Sequence, residues 1–440
     1  NPAFSNEIGS WKDYFSYKKV EKVFHQDFQI YCVTDNGLFS YNYKTKEVFL
    51  FNKLNYASDF GINNLAFVSN SLIFSYKNSN IDVVFEHTTT NIPDIKNLDI
   101  SGKKINNLTI VDNDLYVSAS YGISKINLFK NEISDTYYIY KNGQALQIND
   151  FKKIGYSYVV ATNKGVYKAY ENSLLNDPNN WVQIDSNTNV TKIINGSKLV
   201  FLYNNGSYKN YKISDDLSNI GSEVIETNKL NDITFCNNKF VLTYDNQVVI
   251  SNNVTDTLHT YYEDSQFTKF KSACLDDEDN IWIADSINGL IKISDNNIKS
   301  TILISGPSSN SVFDLNFSNS KLYVSHGGHS NFSVNNLNYQ GVSILENNSW
   351  KKYSSQFLAN SRDIVSSTTI GNYEYFSSWY DGITEILNGN LSNKFGYNNT
   401  NGMLDTTYYS NNRIQISDLK FDSYGNLWGL NSQVQNPLFV

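Results

Sequence analysis

Asn113-Asp114-Leu115-Tyr116-Val117-Ser118-Ala119-Ser120-Tyr121-Gly122 is the stretch whose reading decides the fold. A polar pair opens it, an alternating apolar strand follows, and a turn of small residues ends on glycine. The unit recurs on both sides. Its strand returns as Ile30–Asp35, Leu72–Tyr76, Tyr158–Thr162, Leu199–Tyr203, Phe240–Tyr244 and Ile281–Asp285. Beyond these come Leu322–His326, Tyr373–Ser377 and Leu427–Leu430. Polar pairs such as Ser197-Lys198, Asn238-Lys239, Asp279-Asn280 and Gly425-Asn426 precede most of them.

The turn position sets the period. It falls at Gly37, Asn80, Gly122, Gly165, Gly206, Gln247 and Gly289, at intervals of 43, 42, 43, 41, 41 and 42 residues. Glycine and asparagine tolerate the positive φ that tight hairpins need, whereas Gln247 implies a different turn. Period-2 alternation of β-branched and aromatic residues, with no sustained helical stripe, reads as strands. Short strands in a repeat of this length are the signature of propeller blades stacked about an axis. The fold class expected is all-β: a seven-bladed β-propeller followed by the start of a second, incomplete β-propeller.

After Gly289 the next turn glycine is Gly341, at an interval of 52, and Gly382 then follows after 41. The irregular interval holds Ser305-Gly306-Pro307-Ser308-Ser309-Asn310, a dense turn cluster. The domains expected are therefore 1–305 and 306–440. Trp11-Lys12-Asp13-Tyr14 resembles the outer strands at Trp181–Ile184 and Trp350–Tyr353. It predicts an N-terminal strand that pairs with the seventh blade and closes the ring. The three units after 306 cannot close a ring of the usual size. They predict either a natural chain that continues past Val440 or blades completed by something else, and the first is favoured. The absence of an initial Met predicts an exported, processed protein or a cut piece.

Composition narrows the function classes. The 440 residues include 32 Tyr, 26 Phe and 6 Trp, ample for packed cores. No apolar run is long enough to span a bilayer as a helix. A net charge of −8 disfavours nucleic acid as a partner. Three cysteines without C-x-x-C spacing (Cys32, Cys236, Cys274) read as buried apolar thiols. No nucleophile elbow, P-loop, H-E-x-x-H or G-x-G-x-x-G occurs.

Several segments point to a family. They are Ile8–Tyr17 leading into Ile30–Tyr41 and, outside generic blade sequence, Gly306–Leu315, Leu322–Gly328, Gly341–Leu345 with Ser349-Trp350, Ser378–Ile386 and Asn426–Leu438. Together they resemble the PorZ family of Bacteroidota, a surface component of the type IX secretion system. The resemblance spans the chain and is strongest after residue 306. It implies two seven-bladed propellers and a C-terminal β-sandwich. It also implies a non-enzymatic role, with no cofactor, on the outer face of the outer membrane after signal-peptide removal. The implied partners are a PorU-type sortase, outer-membrane barrels of PorV and PorQ type, and an anionic lipopolysaccharide presented to the sortase.

The residues themselves offer few chemical candidates. His326-Gly327-Gly328-His329 could share a metal, but no third ligand lies near, so exposed loop histidines are the plainer reading. Asp276–Asn280 is an acidic run that could bind calcium or form a solvated turn. Trp379 and Tyr380 could stack on a sugar, with Asp381 accepting its hydroxyls; alternatively Trp379 packs between blades, as Trp282 and Trp428 are expected to do. The ligand-binding candidates are thus Trp379, Tyr380, Asp381, His326 and His329, with no catalytic and no metal residues. Lys18, Lys19, Lys22, Lys152, Lys153, Lys351 and Lys352 read as scattered surface lysines. Besides the secretion reading, two others stay open: a periplasmic oligosaccharide-sensing region of a hybrid two-component regulator, and a propeller glycosidase or lyase.

Overall fold

The structure, a computed structural model, describes residues 11–186, 189–206, 208–218, 220–226, 228–264, 267–330, 334–410 and 412–440. Ile8, Gly9 and Ser10, which open the first of the resembling segments, lie outside them. The architecture is all-β. Two compact units divide the chain. Of the described residues, one holds Trp11–Asp13 together with Tyr17–Ile304; the other holds Tyr14–Ser16 and Ser305–Val440.

Seven four-stranded antiparallel sheets follow one another through the first unit among the described residues. They span 20–51, 62–92, 105–137, 148–185, 190–224, 230–262 and 270–302. Strand order within each sheet is chain order, so each sheet is a meander. The second unit holds four-stranded sheets over 314–353 and 364–395 and a three-stranded sheet over 416–439. This is the architecture of a β-propeller.

Burial on both faces makes the second strands apolar at most positions, beyond the simple alternation expected of them. In the third sheet, Asp114–Ala119 turns Leu115 and Val117 toward the second sheet, where they pack with Ile73, Ile81 and Ile92. Tyr116 faces the other way and stacks on Phe151 of the fourth sheet, ring centroids 4.5 Å apart. Each sheet is thereby the core of its neighbours.

The seventh sheet meets the first by face packing. Trp282, fully buried, lies 5.7 Å from the ring of Tyr41 and 6.1 Å from that of Tyr43. Among the described residues the expected closing strand near Trp11 is not formed. Trp11 is 84% exposed and residues 11–19 carry no strand. The physical reason is that the seventh sheet supplies its own outer strand, Ile298–Ile302, so the fourth place that the Trp11 segment would fill is already taken. Tyr14 instead packs edge-on against Trp350 within the second unit, and Ser16 N–H donates to Asn310 Oδ1 at 2.7 Å.

Two of the periodic glycines, Gly122 and Gly165, have a steric cause. At Gly165 φ is +122°, and a Cβ would sit 2.0 Å from the Asp185 carbonyl oxygen of the outer strand. At Asn80 the left-handed residue is its neighbour Ser79, with φ of 71°.

One repeated irregularity escaped the strand pattern. The first strand of six of these sheets shifts register near its start: Val20/Lys22, Ile62/Asn64, Ile148/Asp150, Val190/Lys192, Leu230/Asp232 and Phe270/Ser272. In the third sheet the skipped residue is Asn106. Such a β-bulge re-aims side chains at the rim of a sheet. The second unit repeats it at Ile364/Ser366 and Ile416/Asp418.

Candidate functional site

The first strands of all seven sheets of the first unit line one cavity of about 750 Å³. The bulges put a polar side chain from each sheet into its wall: Lys22, Asn64, Asn107, Asp150, Lys192, Asp232 and Ser272. These residues, or the bulge residues before them, tie neighbouring sheets together. Lys22 Nζ donates to the Asn63 carbonyl at 2.9 Å and to Asn64 Oδ1 at 2.7 Å. Asn107 Nδ2 donates to Asp150 Oδ1 at 2.6 Å, and Ile193 N–H to Asp150 Oδ2 at 2.8 Å. Lys192 Nζ donates to Asp232 Oδ1 at 2.7 Å, and Asn231 Nδ2 to the Phe270 carbonyl at 2.7 Å. Lys271 lies 4.0 Å from Glu21, joining the seventh sheet to the first. The second unit uses the same device, with Ser366 Oγ donating to Asp418 Oδ1 at 2.7 Å.

Charge in this cavity is unevenly paired. Removal from solvent pushes Lys22 down to about 8, and the ammonium groups of Lys192, Lys209 and Lys104 add to the fall against the opposing pull of Asp232. Burial also lowers Lys209, whose Nζ donates to the Asn231 carbonyl. Asp232 is raised by burial, but Lys192 and Lys209 outweigh that and hold it below the ordinary carboxylate range. Lys22 is therefore a cavity residue and not one of the scattered surface lysines expected from the sequence.

The acidic run resolves into structure. Asp276 is fully buried and accepts from Glu278 N–H, Asn280 N–H, Asn280 Nδ2 and Trp282 Nε1 at 2.8–3.0 Å. Asp277 and Glu278 point outward, to Tyr43 and Lys44. The turn reading holds, with the correction that its leading carboxylate is buried rather than solvated.

In the second unit, His326 is fully buried, with Nδ1 2.7 Å from the Ser311 carbonyl and Nε2 2.7 Å from Ser343 Oγ. Both ring nitrogens are occupied, so only His329 matches the expected exposed loop histidine. Its ring lies 4.3 Å from that of Trp379. Trp379 is 5% exposed, which leaves little face for a sugar. Trp428, expected to pack like Trp282, is 39% exposed.

Tyr380 and Asp381 do line a cavity, of about 670 Å³, with Lys394, Tyr397 and Asp405. Arg362 organises them. Its guanidinium carbon sits 3.5 Å over the Tyr380 ring, and its Nε and Nη2 donate to Asp381 at 2.9 and 2.8 Å. The fork occupies both Asp381 oxygens, so Asp381 positions Arg362 and Tyr380 more than it offers free acceptors. Arg362 went unread in the sequence. Its neighbours there are Ser361 and Asp363, and no local pattern links it to Asp381, 19 residues on.

Residues 30–182 match the family model of the PorZ N-terminal β-propeller domain of the type IX secretion system. Among solved structures, the chain is similar to PorZ of Porphyromonas gingivalis, described as an essential bacterial surface component of the type IX secretion system. That match has 19% identity and a TM-score of 0.81, and covers 98% of this chain and 58% of that one. The chain thus spans 58% of the PorZ chain's length. It also aligns with the extracellular domain of a hybrid two-component system of B. thetaiotaomicron at 12% identity and a TM-score of 0.46, covering 95% of this chain and 64% of that one. No curated protein sequence matches it. The resemblance to the PorZ family read from the residues holds. No helix among the described residues is long and apolar enough to cross a membrane.

Proposed function

We propose that this chain acts in type IX secretion as a non-enzymatic cell-surface scaffold. In this reading it binds an anionic lipopolysaccharide and presents it to a PorU-type sortase that anchors secreted cargo, beside outer-membrane barrels of PorV and PorQ type. The observation that carries the reading is the structural likeness to PorZ along 98% of the chain, joined to the family match over residues 30–182. The seven sheets of the first unit are read as the blades of one closed propeller. The three sheets after Ser305 are read as the first blades of a second.

A scaffold role fits the chemistry available. Binding residues sit on loops and cavity walls held by rigid sheets. The glycan contact is assigned to Trp379, Tyr380, Asp381, His326 and His329, of which Tyr380 and Asp381 line the cavity. Tyr380 and Tyr397 bring aromatic surface to it, and Lys394 brings a positive charge suited to an anionic saccharide.

The test is deletion of the gene. Cargo should still be secreted but should fail to attach at the cell surface. The purified protein should bind lipopolysaccharide and leave it chemically unchanged. Normal attachment in the deletion strain, or cleavage of the glycan, overturns the reading.

A further inference from the structure

We propose that the cavity enclosed by the seven sheets of the first unit is a binding site for a phosphate group, held by Lys22, Lys192 and Lys209. This cavity lies in a different unit from the saccharide contact at Tyr380. The inference does not depend on the secretion reading.

The wall of the cavity carries four ammonium groups, Lys22, Lys192, Lys209 and Lys271, and three carboxylates, Glu21, Asp150 and Asp232. The carboxylates have other work. Glu21 lies opposite Lys271 at 4.0 Å. Asp150, 1% exposed, accepts from Asn107 Nδ2 and from the backbone N–H groups of Phe151 and Ile193, and Lys152 lies 3.7 Å from it. Asp232 pairs with Lys192. His25, also in the wall, turns to the Tyr43 hydroxyl and to Asp277. Lys22 and Lys209 are left with hydrogen bonds to neutral oxygens, those of Asn63, Asn64 and Asn231.

Two ammonium groups, Lys22 and Lys209, gathered inside a cavity with no carboxylate in contact among the described residues, are costly without a counter-ion. The depression of Lys22 reports that cost. An oxyanion among them would accept the donors each ammonium still has to spare. Lys22, Lys192 and Lys209 are only half-buried, so solvent and solutes reach them. The volume, about 750 Å³, is in the range of sites for small organic ligands, so the phosphate could be free or carried on a sugar.

Calorimetric titration of the whole chain at pH 7 and low salt tests the site, with inorganic phosphate in one arm and glucose 1-phosphate in the other. Saturable binding in either arm is expected, and comparison of the arms tells which source the cavity takes. Lys22→Met and Lys209→Met should each weaken binding by about 10-fold or more. Asp232→Asn, which removes a negative charge from the same wall, should tighten it. Lys351→Met, on an exposed strand of the second unit, should change nothing. Lys22→Arg retains the charge and should bind within a few-fold, which separates loss of the site from loss of the fold. Absence of binding in both arms up to 10 mM, set on the order of the weakest useful affinities, overturns the proposal. So does binding indifferent to Lys22, Lys209 and Asp232.

Discussion

The indole Nε1 of Trp282 donates to Asp276 Oδ2 at 2.8 Å, six residues back along the chain. The same pair recurs as Trp428 and Asp422, at 2.9 Å. Between them an asparagine, Asn280 or Asn426, donates both its backbone N–H and its side-chain amide to the same carboxylate. The sequence Asp-x-x-x-Asn-x-Trp is thus one folded device. Its carboxylate closes the turn, and its tryptophan enters the next strand already anchored.

Trp282 should be the costliest single residue in the first unit to truncate. It is fully buried and packs on Tyr41 and Tyr43. Trp282→Ala should destabilise by about 3–5 kcal/mol through lost transfer and a cavity. Trp282→Phe keeps much of the volume but deprives Asp276 of a donor, and should cost about 1–3 kcal/mol. Trp428, 39% exposed, should lose clearly less on the same change. Urea denaturation of the three variants beside the wild type checks the order.

The cysteines should differ in reactivity. Burial pushes the thiols of Cys32 and Cys274 well above their ordinary value, and Cys236, half-buried in the cavity wall, is raised as well. Thiolates, not thiols, react. A thiol-reactive dye on the native protein at pH 8 should label Cys236 first and leave Cys32 and Cys274 until urea is added. Prompt labelling of all three would contradict the packing.

The period of the chain was legible because hydrophobic alternation and turn residues act locally, within one hairpin. What decides the cavity is not local. The bulge at Val20/Lys22 shifts Lys22 by one residue, and one residue in a strand changes the face on which a side chain stands. Read as regular strand, Lys22 is a surface lysine; read with the bulge, it faces Asn64 of the next sheet. His326 and Trp379 failed as exposed candidates for a related reason. Their partners Ser343, Ser311 and His329 come from loops and strands whose approach no short motif encodes. Trp11 copied the spelling of an outer strand, but the place it would fill was already taken by Ile298–Ile302.

Arg362 should hold the second unit's cavity in shape. It is the fork on Asp381 and the cation over Tyr380. Arg362→Ala should cost about 1.5–3 kcal/mol, the worth of hydrogen bonds to a charged group. Arg362→Lys keeps the charge but loses the planar fork and the stacking surface, so it should recover less than half of that. Thermal denaturation of the two variants beside the wild type measures both. Equal stability of the Lys variant and the wild type would show that the bidentate geometry contributes nothing.

Lys22 should make stability rise with pH in the alkaline range. Its folded value is down to about 8, while a lysine in the unfolded chain titrates near 10.4. Between those values the unfolded chain holds a proton that the folded protein has released. Stability therefore increases with pH from about 8 toward 10, by linkage. The groups that face Lys22 set the effect: Lys192, Lys209 and Lys104 push it down, and Asp232 pulls it up. Buried thiols and tyrosines pull the other way as the unfolded chain loses their protons, so the comparison must be a difference. Against Lys22→Met, which keeps the same thiols and tyrosines, the wild type should gain on the order of 2 kcal/mol between pH 7.5 and 10. Denaturation midpoints at four or five pH values give the two curves. Parallel curves would mean that Lys22 titrates as an ordinary exposed lysine and that the cavity does not desolvate it.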